Sequence, residues 1–568
     1  MSIFSRFLAQ LRKIFSSVCV PVPVELLLVF FTLKHLPLNF LSQMRLTLLF
    51  LTFLTFSANC YKILVYGPKF GHSMSSFLGS IADTLVDAGH DVTSLISIID
   101  PEVSDGAKKS TKLFVAQSEA TGKLYSDFTK AKADFLEMNL YDPIGAYFAG
   151  KFFSKLTATQ CRAVLESTVL LEQLKNEMFD VMILENFDMC GVALTEIIKP
   201  KSFIGSSSHV AFGPQLEEFG IPAFPSFDPS LSTFRMNVHS IWDRFLNVYA
   251  DLLVRWSYYY MRTEIDELFQ ERFGTAFPSV KLIATHSAYN FVNSEPLIDF
   301  ATPTVAKTIY IGGIGIRKPK SLSSDWEKIL ALRDKTVLIS FGSVCKSMFF
   351  PLEVKRAILE TIRTLSEVTF IWKYEDEDEF TINEASKVEN LVLTKWMPQS
   401  DILNHPKLTA FITHGGMGST LEMARAGVPG IFVPIFVDQP RNAAMMEYNG
   451  LGKILNKFQV SNSTKFVETI KEVIGNMSYQ EKARRISAML RKKPHTPEEL
   501  VVKHVEFAAE FGEATALRPQ SHEMTWIEYN NVDIVLIGIL LCLFILVVCM
   551  KIVLALTRKI GKAKKKIE

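Results

Sequence analysis

The chain has 568 residues, enough for two or more domains of ordinary size. Hydrophobic residues make up 48% of it, and the formal net charge is only +2. No basic stripe interleaves with aromatic residues, which argues against nucleic acid as the main partner. The apolar content calls instead for a search for membrane segments.

A secretory signal is predicted at residues 44–60. Arg45 precedes an apolar core over residues 46–56, and small residues follow the core. Cleavage after Cys60 leaves Tyr61 as the first residue of the mature protein. Residues 1–43 are then not needed for the signal, and we interpret them as the product of an alternative translation start upstream of Met44. An uncleaved membrane anchor is the alternative.

The next part of the chain, residues 61–317, begins with a predicted strand–helix–strand unit. The strands cover residues 61–68 and 90–98, and apolar residues at helical spacing predict a helix over 75–89. His72 then lies on the loop after the first strand, where open α/β sheets bind ligands. An imidazole there suits proton transfer near neutral pH, although a lone loop histidine is more often solvated or a cap.

Another buried strand is predicted over residues 179–184. Glu185 ends it, and Asp188 follows three residues later. A catalytic imidazole needs an orienting group on its second nitrogen, so both carboxylates are candidates. A solvated strand-end residue is the structural alternative for Glu185.

A linker is predicted at residues 318–324, before a second unit that ends near residue 525. Its strand over 336–341, its small-residue turn at Gly342-Ser343, its helix over 352–365 and its strand over 369–372 repeat the arrangement of the first half. A further strand over 391–394 leads to Trp396.

The most informative segment covers residues 396–442. An apolar run at 408–413 predicts a buried strand, His414-Gly415-Gly416 follows, and residues 417–426 have helical composition up to the stop at 427–429. A further strand is predicted over 431–437. Such a turn leaves the first amides of the helix free at the positive end of its dipole, which suits a diphosphate.

Acidic groups lie beside this predicted phosphate site. Glu422 is about one turn into the helix, and Asp438-Gln439 ends the second strand, so all face the same crevice. Sugar hydroxyls, which donate hydrogen bonds to carboxylates, are the ligand that best explains them.

The segment closely resembles the signature of the UDP-glycosyltransferases, and within them the animal membrane-bound UDP-glucuronosyltransferases. The match extends over the whole segment, which makes it far more specific than a glycine-rich turn alone. The matching residues are Trp396, Pro398, Gln399, Leu403, His405, Pro406, Phe411 to Gly416, Glu422, Gly427 to Pro429, Pro434, Asp438, Gln439 and Asn442.

The resemblance implies a GT-B fold, in which two Rossmann-like domains face a cleft, plus one C-terminal transmembrane helix. It implies inverting transfer of a glucuronosyl or glucosyl group from a UDP-sugar to a small lipophilic acceptor, in detoxification or metabolite conjugation. No metal is required by this chemistry. Residues 200–310, with apolar helix-like segments and Pro- and Ser-rich loops, suit an acceptor pocket beside a membrane. The aromatic run at 256–260 is more typical of a packing surface than of a ligand site.

The resemblance also assigns roles in the first half. Residues 71–73 resemble the family's Gly-Ser-His segment with the serine displaced, so His72 is expected to be the catalytic base. Glu185 stands where similar family members carry Asp and is expected to orient His72, with Asp188 as the alternative.

In the second half the resemblance implies a complete donor site. Trp396 stacks on uracil and Gln399 hydrogen-bonds it, Glu422 binds ribose, and Asp438 and Gln439 bind the sugar. Many animal members carry Asn at position 418, so a backbone amide or Ser419 must replace that side chain. The residues expected around the diphosphate are Ser343, His414, Gly415, Gly416, Gly418 and Ser419.

The C-terminal end predicts membrane attachment. Residues 532–556 form a nearly charge-free apolar run, interrupted by Lys551, and a basic tail follows at 557–568. Basic residues stay cytosolic, so we expect a single-pass type I protein with a lumenal body. Lys565-Lys566 resembles a dilysine endoplasmic-reticulum retrieval signal; a plain stop-transfer cluster is the alternative. Asn462 and Asn476 lie in glycosylation sequons.

The seven cysteines are scattered and predict neither a disulfide framework nor a metal site. Two rival functions stay open. A serine hydrolase would use Ser73, but its elbow lacks the second glycine and the His-Gly-Gly comes too late in the chain. A UDP- or glycan-binding membrane protein of the same fold, with impaired turnover, is kept open by the departures from the family pattern at Glu185 and Gly418. The donor sugar, the acceptor and any homo- or hetero-oligomer also stay open.

Overall fold

The structure is a computed structural model, and it describes residues 60–131, 139, 142–210, 212–231, 233, 237–343, 345–375 and 378–564. The predicted signal at residues 44–60, apart from Cys60, and the dilysine pair Lys565-Lys566 lie outside these residues. The chain divides into a large unit that ends at Leu517 and a small unit that begins at Arg518. The large unit contains two parallel sheets, and we call the parts built on them the first lobe and the second lobe.

The first lobe is built on a parallel sheet that has seven strands among the described residues, in the order β3-β2-β1-β4-β5-β6-β7. The central strands are buried on both faces, as crossover helices require. The strands are β1 Lys62–Lys69, β2 Asp91–Ile98, β3 Thr111–Val115, β4 Val181–Glu185, β5 Ser202–Ser207, β6 Tyr289–Val292 and β7 Thr308–Tyr310.

The second lobe repeats this plan with six strands among the described residues, in the order β10-β9-β8-β11-β12-β13. All of its strand pairs are parallel. The strands are β8 Lys335–Ser340, β9 Val368–Lys373, β10 Leu391–Thr394, β11 Leu408–Thr413, β12 Gly430–Phe432 and β13 Gly452–Ile454.

Helices connect the strands of both lobes. Those of the first half are α1 His72–Asp87, α2 Glu119–Ala131, α3 Pro143–Glu166, α4 Thr168–Asn176, α5 Met189–Ile198, α6 Gly213–Glu218, α7 Ile241–Phe273 and α8 Val280–Thr285. Those that follow are α9 Ser324–Ala331, α10 Leu352–Thr364, α11 Glu379–Ala385, α12 Gln399–Leu403, α13 Met417–Ala426, α14 Gln439–Tyr448, α15 Ser463–Gly475, α16 Met477–Arg491, α17 Pro497–Phe511, α18 Trp526–Tyr529 and α19 Val532–Lys564.

Two predicted boundaries are wrong in ways that affect the site. Helix α1 begins at His72, three residues earlier than predicted, so His72 lies in the first helical turn and not on a loop. Strand β12 ends at Phe432, although the apolar run continues. Pro434 has no amide for a sheet hydrogen bond, and Val437 adopts a left-handed conformation with φ 55°, so the chain leaves the sheet early.

Helix α17 returns from the second lobe to the first. Its apolar residues Val501, Val505 and Ala508 belong to the same buried cluster as Ile63 of β1. Ser202 Oγ also donates a hydrogen bond of 2.8 Å to the Ala508 carbonyl. The last helix of the large unit therefore stabilises the first sheet.

A buried arginine joins the two lobes. Arg441, in the first turn of α14, donates to Asp299 Oδ1 at 2.7 Å, to Asp228 Oδ1 at 3.2 Å and to the Pro229 carbonyl at 3.0 Å. All three side chains are buried, so the charges compensate each other away from solvent. Asn449, at the other end of α14, donates to the Ile298 carbonyl at 2.7 Å.

One disulfide corrects the prediction from the cysteine pattern. Cys161 on α3 is bonded to Cys190 in the first turn of α5, 29 residues later. Both cysteines are buried in the first-lobe core. The sequence could not predict the pair, because both cysteines lie within apolar helices whose packing brings them together.

The small unit contains α19. Its residues Val532–Lys562 are long and apolar enough to cross a membrane, and it is the one such helix in the described part of the chain. The predicted transmembrane segment at 532–556 lies within this helix.

We expect the substitutions Cys161→Ala and Cys190→Ala, made together, to lower the free energy of unfolding by about 3 kcal/mol, because the loop they close is of moderate length. Thermal unfolding of the detergent-solubilised protein measures this, with Cys542→Ala as the control. Non-reducing peptide mapping that finds both cysteines as free thiols would contradict the assignment.

Candidate active site

The candidate site lies where the carboxyl edges of the two sheets face each other. Phe70, two residues before His72, is packed against the same buried apolar cluster as Phe341 and Tyr374 of the second lobe. Phe128 of the first lobe also belongs to that cluster. Since ligands of parallel α/β sheets bind at the carboxyl ends of their strands, this interface is where a shared ligand site is expected.

A glycine-rich turn joins β11 to α13 at one side of the site. Gly415 has a φ of 84°, which favours glycine, and Gly416 is the N-cap of α13 without any side-chain cap hydrogen bond. The first turn of the helix carries no acidic residue. The amides that follow Gly416 are therefore available to an anion beside the positive end of the dipole.

His414 lies beside this turn. Burial and, second, the positive charge of Lys373 lower the pKa of His414 to about 4, so its imidazole is neutral at pH 7. The imidazole ring of His414 packs against Gly342, in the turn after β8. A side chain at position 342 would clash with the ring, because a Cβ there would lie 2.6 Å from His414 Cε1. Ser343 follows Gly342 and is exposed. The turns after β8 and β11 thus meet at His414.

A second group of polar side chains lies where α12 meets α13. Gln399 Nε2 donates to Glu422 Oε2 at 2.6 Å and to Ser419 Oγ at 3.2 Å. Burial raises the pKa of Glu422, although Gln399 opposes the shift. Trp396 is 74% exposed, so its ring is open to a planar ligand. Gly418 is also exposed, and no atom lies within 4 Å of the Cβ it lacks.

A third group of polar side chains lies in the turn from β12 into α14. Asn442 Nδ2 donates to Asp438 Oδ2 at 2.8 Å and to the Gly415 carbonyl at 2.9 Å, so it joins this turn to the turn between β11 and α13. Gln439 Oε1 accepts hydrogen bonds from the amides of Ile435 and Phe436. Its oxygen is therefore used within the turn.

His209 of the first lobe faces this turn. Its Nδ1 is 2.8 Å from the Val210 carbonyl, and its ring stacks on Phe212. Burial lowers the pKa of His209, while the charge of Asp438 opposes the shift. Burial raises the pKa of Asp438, and His209 opposes that shift in turn. The two side chains interact across the lobes.

His72 occupies the first-lobe side. Its ring reaches solvent, and Nδ1 lies 3.3 Å from Ser76 Oγ, one helical turn later. Partial desolvation in the cleft and, second, the charge of Lys373 lower the pKa of His72. A neutral imidazole at neutral pH is the form that can accept a proton.

The structure does not bring the expected orienting carboxylates onto His72. Glu185 is fully buried and accepts hydrogen bonds from the amides of Ser208 and Phe187, and burial raises its pKa to about 8. Asp188 accepts from Tyr66 Oη at 2.7 Å, and burial raises its pKa to about 6. Within the described residues, Ser76 is the side chain hydrogen-bonded to His72.

Sequence reasoning missed two residues of the site, Lys373 and His209. Lys373 ends β9, and its Nζ donates to the Gly342 carbonyl at 2.9 Å while it interacts electrostatically with both His72 and His414. Its position just after a predicted strand was the available signal. His209 follows β5, whose small and polar residues do not form an apolar run. In the described part of the chain, no cluster of three or more His, Cys, Asp or Glu side chains could hold a metal ion.

The two parallel sheets and the turns at their facing edges form a GT-B fold. Two solved structures share this fold: the kitacinnamycin glycotransferase has a TM-score of 0.55 at 14% identity, covering 80% of this chain and 99% of its own. The spinosyn rhamnosyltransferase SpnG has a TM-score of 0.53 at 15% identity, covering 79% and 100%.

The family is established by sequence. The profile described as "UDP-glucoronosyl and UDP-glucosyl transferase" matches residues 61–567, so the chain belongs to this family and takes its sugar from a UDP-sugar donor. Mouse UDP-glucuronosyltransferase 1A9 is 29% identical, over 82% of this chain and 87% of its own. The Caenorhabditis elegans protein ugt-48, which carries a provisional UDP-glucuronosyltransferase name, is 28% identical over 86% and 94%.

We expect Gly342→Ala to weaken UDP binding by about tenfold, since a φ of 84° costs an L-residue roughly 1–2 kcal/mol and the new methyl group displaces His414. Isothermal titration with UDP measures the effect. Gly475→Ala is the matched control, because its Cβ meets no atom within 4 Å. Equal affinities of the Gly342→Ala variant and the wild type would show that this turn does not contact UDP.

We expect Lys373→Met to move the acidic limb of the pH–activity profile to higher pH. The ammonium group lowers the pKa of His72, so its removal raises that pKa and the ring becomes protonated at a higher pH. Steady-state rates from pH 5 to pH 8 measure the shift. Lys373→Arg keeps the charge and should keep the limb in place; an acidic limb that does not move in Lys373→Met would contradict the coupling.

Proposed function

We propose that the protein transfers a glucuronosyl or glucosyl group, with inversion, from a UDP-sugar to a small lipophilic acceptor, as a conjugating or detoxifying enzyme. The observation that carries this proposal is the shared apolar cluster of Phe70, Phe128, Phe341 and Tyr374. Through this cluster the carboxyl end of β1, which leads to His72, packs beside the carboxyl ends of β8 and β9 in the second lobe. A donor held by one lobe can therefore meet an acceptor held by the other.

In this proposal the second lobe binds the donor. The amides after Gly416, with Ser343, Ser419 and neutral His414, bind the diphosphate. Trp396 stacks on uracil and Gln399 and Glu422 bind the nucleoside, which their mutual hydrogen bond of 2.6 Å supports. Asp438 and Gln439 bind the sugar hydroxyls, and Gln439 does so with its side-chain amide nitrogen, since its oxygen already accepts two amides.

The first lobe activates the acceptor. Neutral His72 removes the proton from the acceptor hydroxyl as its oxygen attacks the anomeric carbon of the sugar. The bond between that carbon and the β-phosphate oxygen breaks, its electron pair leaves with UDP, and the configuration inverts. The helix dipole of α13 and the hydrogen bonds of the turn stabilise the charge that develops on the diphosphate.

The role of Glu185 rests on the family resemblance alone. Its carboxylate is held by the amides of Ser208 and Phe187, and Ser76 is the present partner of the His72 ring. This separation favours a second candidate function, a UDP- or glycan-binding membrane protein with impaired turnover. A turnover assay distinguishes the two.

We further propose that the body lies in the lumen of the endoplasmic reticulum, anchored by α19 as a single-pass type I protein. A buried disulfide between Cys161 and Cys190 supports an oxidising compartment. The basic residues Arg558, Lys559 and Lys562 at the end of α19 support a cytosolic tail. Asn462 and Asn476 are both exposed, as acceptors of glycans must be.

We expect His72→Ala to lower turnover by about 10²- to 10⁴-fold, the usual contribution of a general base, while UDP affinity stays unchanged. Microsomes that carry the protein are incubated with labelled UDP-glucuronate or UDP-glucose and a panel of phenols. His495→Ala, on an exposed histidine, is the control. Binding of UDP by the wild type without product from either donor would favour the non-catalytic alternative.

We expect glycosidase treatment to increase the electrophoretic mobility of the wild-type protein. Thr464→Ala and Ser478→Ala should each remove one glycan, because they destroy the sequons and leave Asn462 and Asn476 in place as helix N-caps. A wild-type protein whose mobility does not change on glycosidase treatment would argue against the lumenal placement.

A further inference from the structure

One face of helix α7 is apolar and directed at solvent. Between residues 241 and 260 every exposed residue is aliphatic or aromatic, and the charged residues are at least partly buried. Ile241 is 78% exposed, Trp242 64% and Leu252 57%. A helix on the surface of a soluble domain normally carries charged residues on its outer face, so this face is unusual. Its residues, which we call the apolar stripe, are Ile241, Trp242, Phe245, Val248, Leu252, Trp256 and Tyr259.

The stripe is continuous and ends abruptly. Its members recur every three or four residues, which places them along one side of the helix over roughly 27 Å. Beyond Met261 the exposed side chains of the same helix include Glu267, Glu271 and Arg272. The change from apolar to charged therefore occurs along the helix axis, and the second half of α7 has an ordinary solvated face.

The charged residues within this stretch do not interrupt the stripe. Arg255 is paired with Asp251 at 2.6 Å and with Glu217, and all three are partly or fully buried. Arg244 donates to the Val238 carbonyl, and Asp243 accepts from the Asn237 amide at 2.9 Å. These charged groups therefore have partners within the protein, and none of them belongs to the exposed apolar face.

Helix α3 widens the stripe. Tyr147 of α3 packs on Trp256 with ring centroids 5.0 Å apart, and Ile144 and Phe148 beside it are 66% and 62% exposed. The two helices therefore present a shared apolar ridge. A contiguous ridge of this size marks an interaction surface and not the scattered apolar exposure that every protein has.

Two observations indicate a bilayer as the partner. The chain carries a helix, α19, that is long and apolar enough to cross a membrane, and residues 518–531 between it and the large unit can span at most roughly 50 Å. With α19 anchored as proposed above, this linker limits the distance between the large unit and the lipid surface. The composition of the ridge, in which Trp and Tyr accompany aliphatic residues, is also that of side chains at a membrane interface.

We propose that the apolar stripe of α7, together with Ile144 and Phe148, lies in the interfacial layer of the membrane in which α19 is anchored. This inference rests on the anchoring proposed above and adds a second point of attachment. It brings the lobe that holds His72 to the lipid, so lipophilic acceptors that partition into the bilayer can enter the first lobe without crossing water.

The test is fluorescence quenching by lipids brominated on their acyl chains, with the full chain in phosphatidylcholine proteoliposomes. A fluorescent amino acid is introduced by amber suppression at position 245 in the stripe, at 544 in α19 or at 458 on the second lobe. Phe245, Phe544 and Phe458 are 56%, 66% and 58% exposed, so the three sites are matched. In the wild-type background we expect the label to lose fluorescence at positions 245 and 544 and to keep it at position 458. In a variant that carries Trp242→Glu and Leu252→Glu, we expect the label at 245 to keep its fluorescence and the label at 544 still to lose it.

The other outcomes overturn the proposal in distinguishable ways. Quenching at 544 without quenching at 245 would show that the anchor is inserted and the stripe is not in the lipid. A concentration-dependent blue shift at 245 without quenching would assign the stripe to contact with a second copy of the chain. No quenching at 544 would remove the anchoring premise, and the transfer activity of the same proteoliposomes would then report separately on the proposed enzyme.

Discussion

The buried ion pairs of Arg441 are the interaction on which the arrangement of the site depends. An arginine removed from water needs compensating charge, and Asp228 and Asp299 of the first lobe supply it. Because Arg441 lies one helical turn after Asp438, these bonds also fix the proposed sugar-binding turn relative to the first lobe. Loss of one partner would leave a charge buried without compensation, so the closed arrangement of the two lobes is strongly specified.

The two lobes divide the chemistry between them, and Lys373 connects the parts electrostatically. The second lobe offers a helix N-terminus without competing acidic side chains, which suits a leaving diphosphate. The first lobe offers His72 at the end of β1. Burial and, second, this one ammonium group lower the pKa of both His72 and His414, so both rings favour the neutral form, which one of them needs in order to accept a proton.

Much of the second lobe could be predicted from the sequence, because α13 and β11 are bounded by glycine and proline signals that act locally. The predicted strand at 431–437 was too long because Pro434 ends the pairing, a tertiary effect within an apolar run. In the first lobe, β5 reads Ser-Phe-Ile-Gly-Ser-Ser and gives no apolar pattern, so His209 behind it was missed. The disulfide and the Arg441 contacts join distant parts of the chain, and local patterns carry no information about them.

A structure of the full chain with a bound UDP-sugar tests the central claim most directly. The account predicts diphosphate oxygens within hydrogen-bond distance, roughly 3 Å, of the amides that follow Gly416, with the anomeric carbon directed towards His72. A diphosphate bound elsewhere, or a sugar that points away from His72 while Arg441 keeps both carboxylate partners, would contradict it.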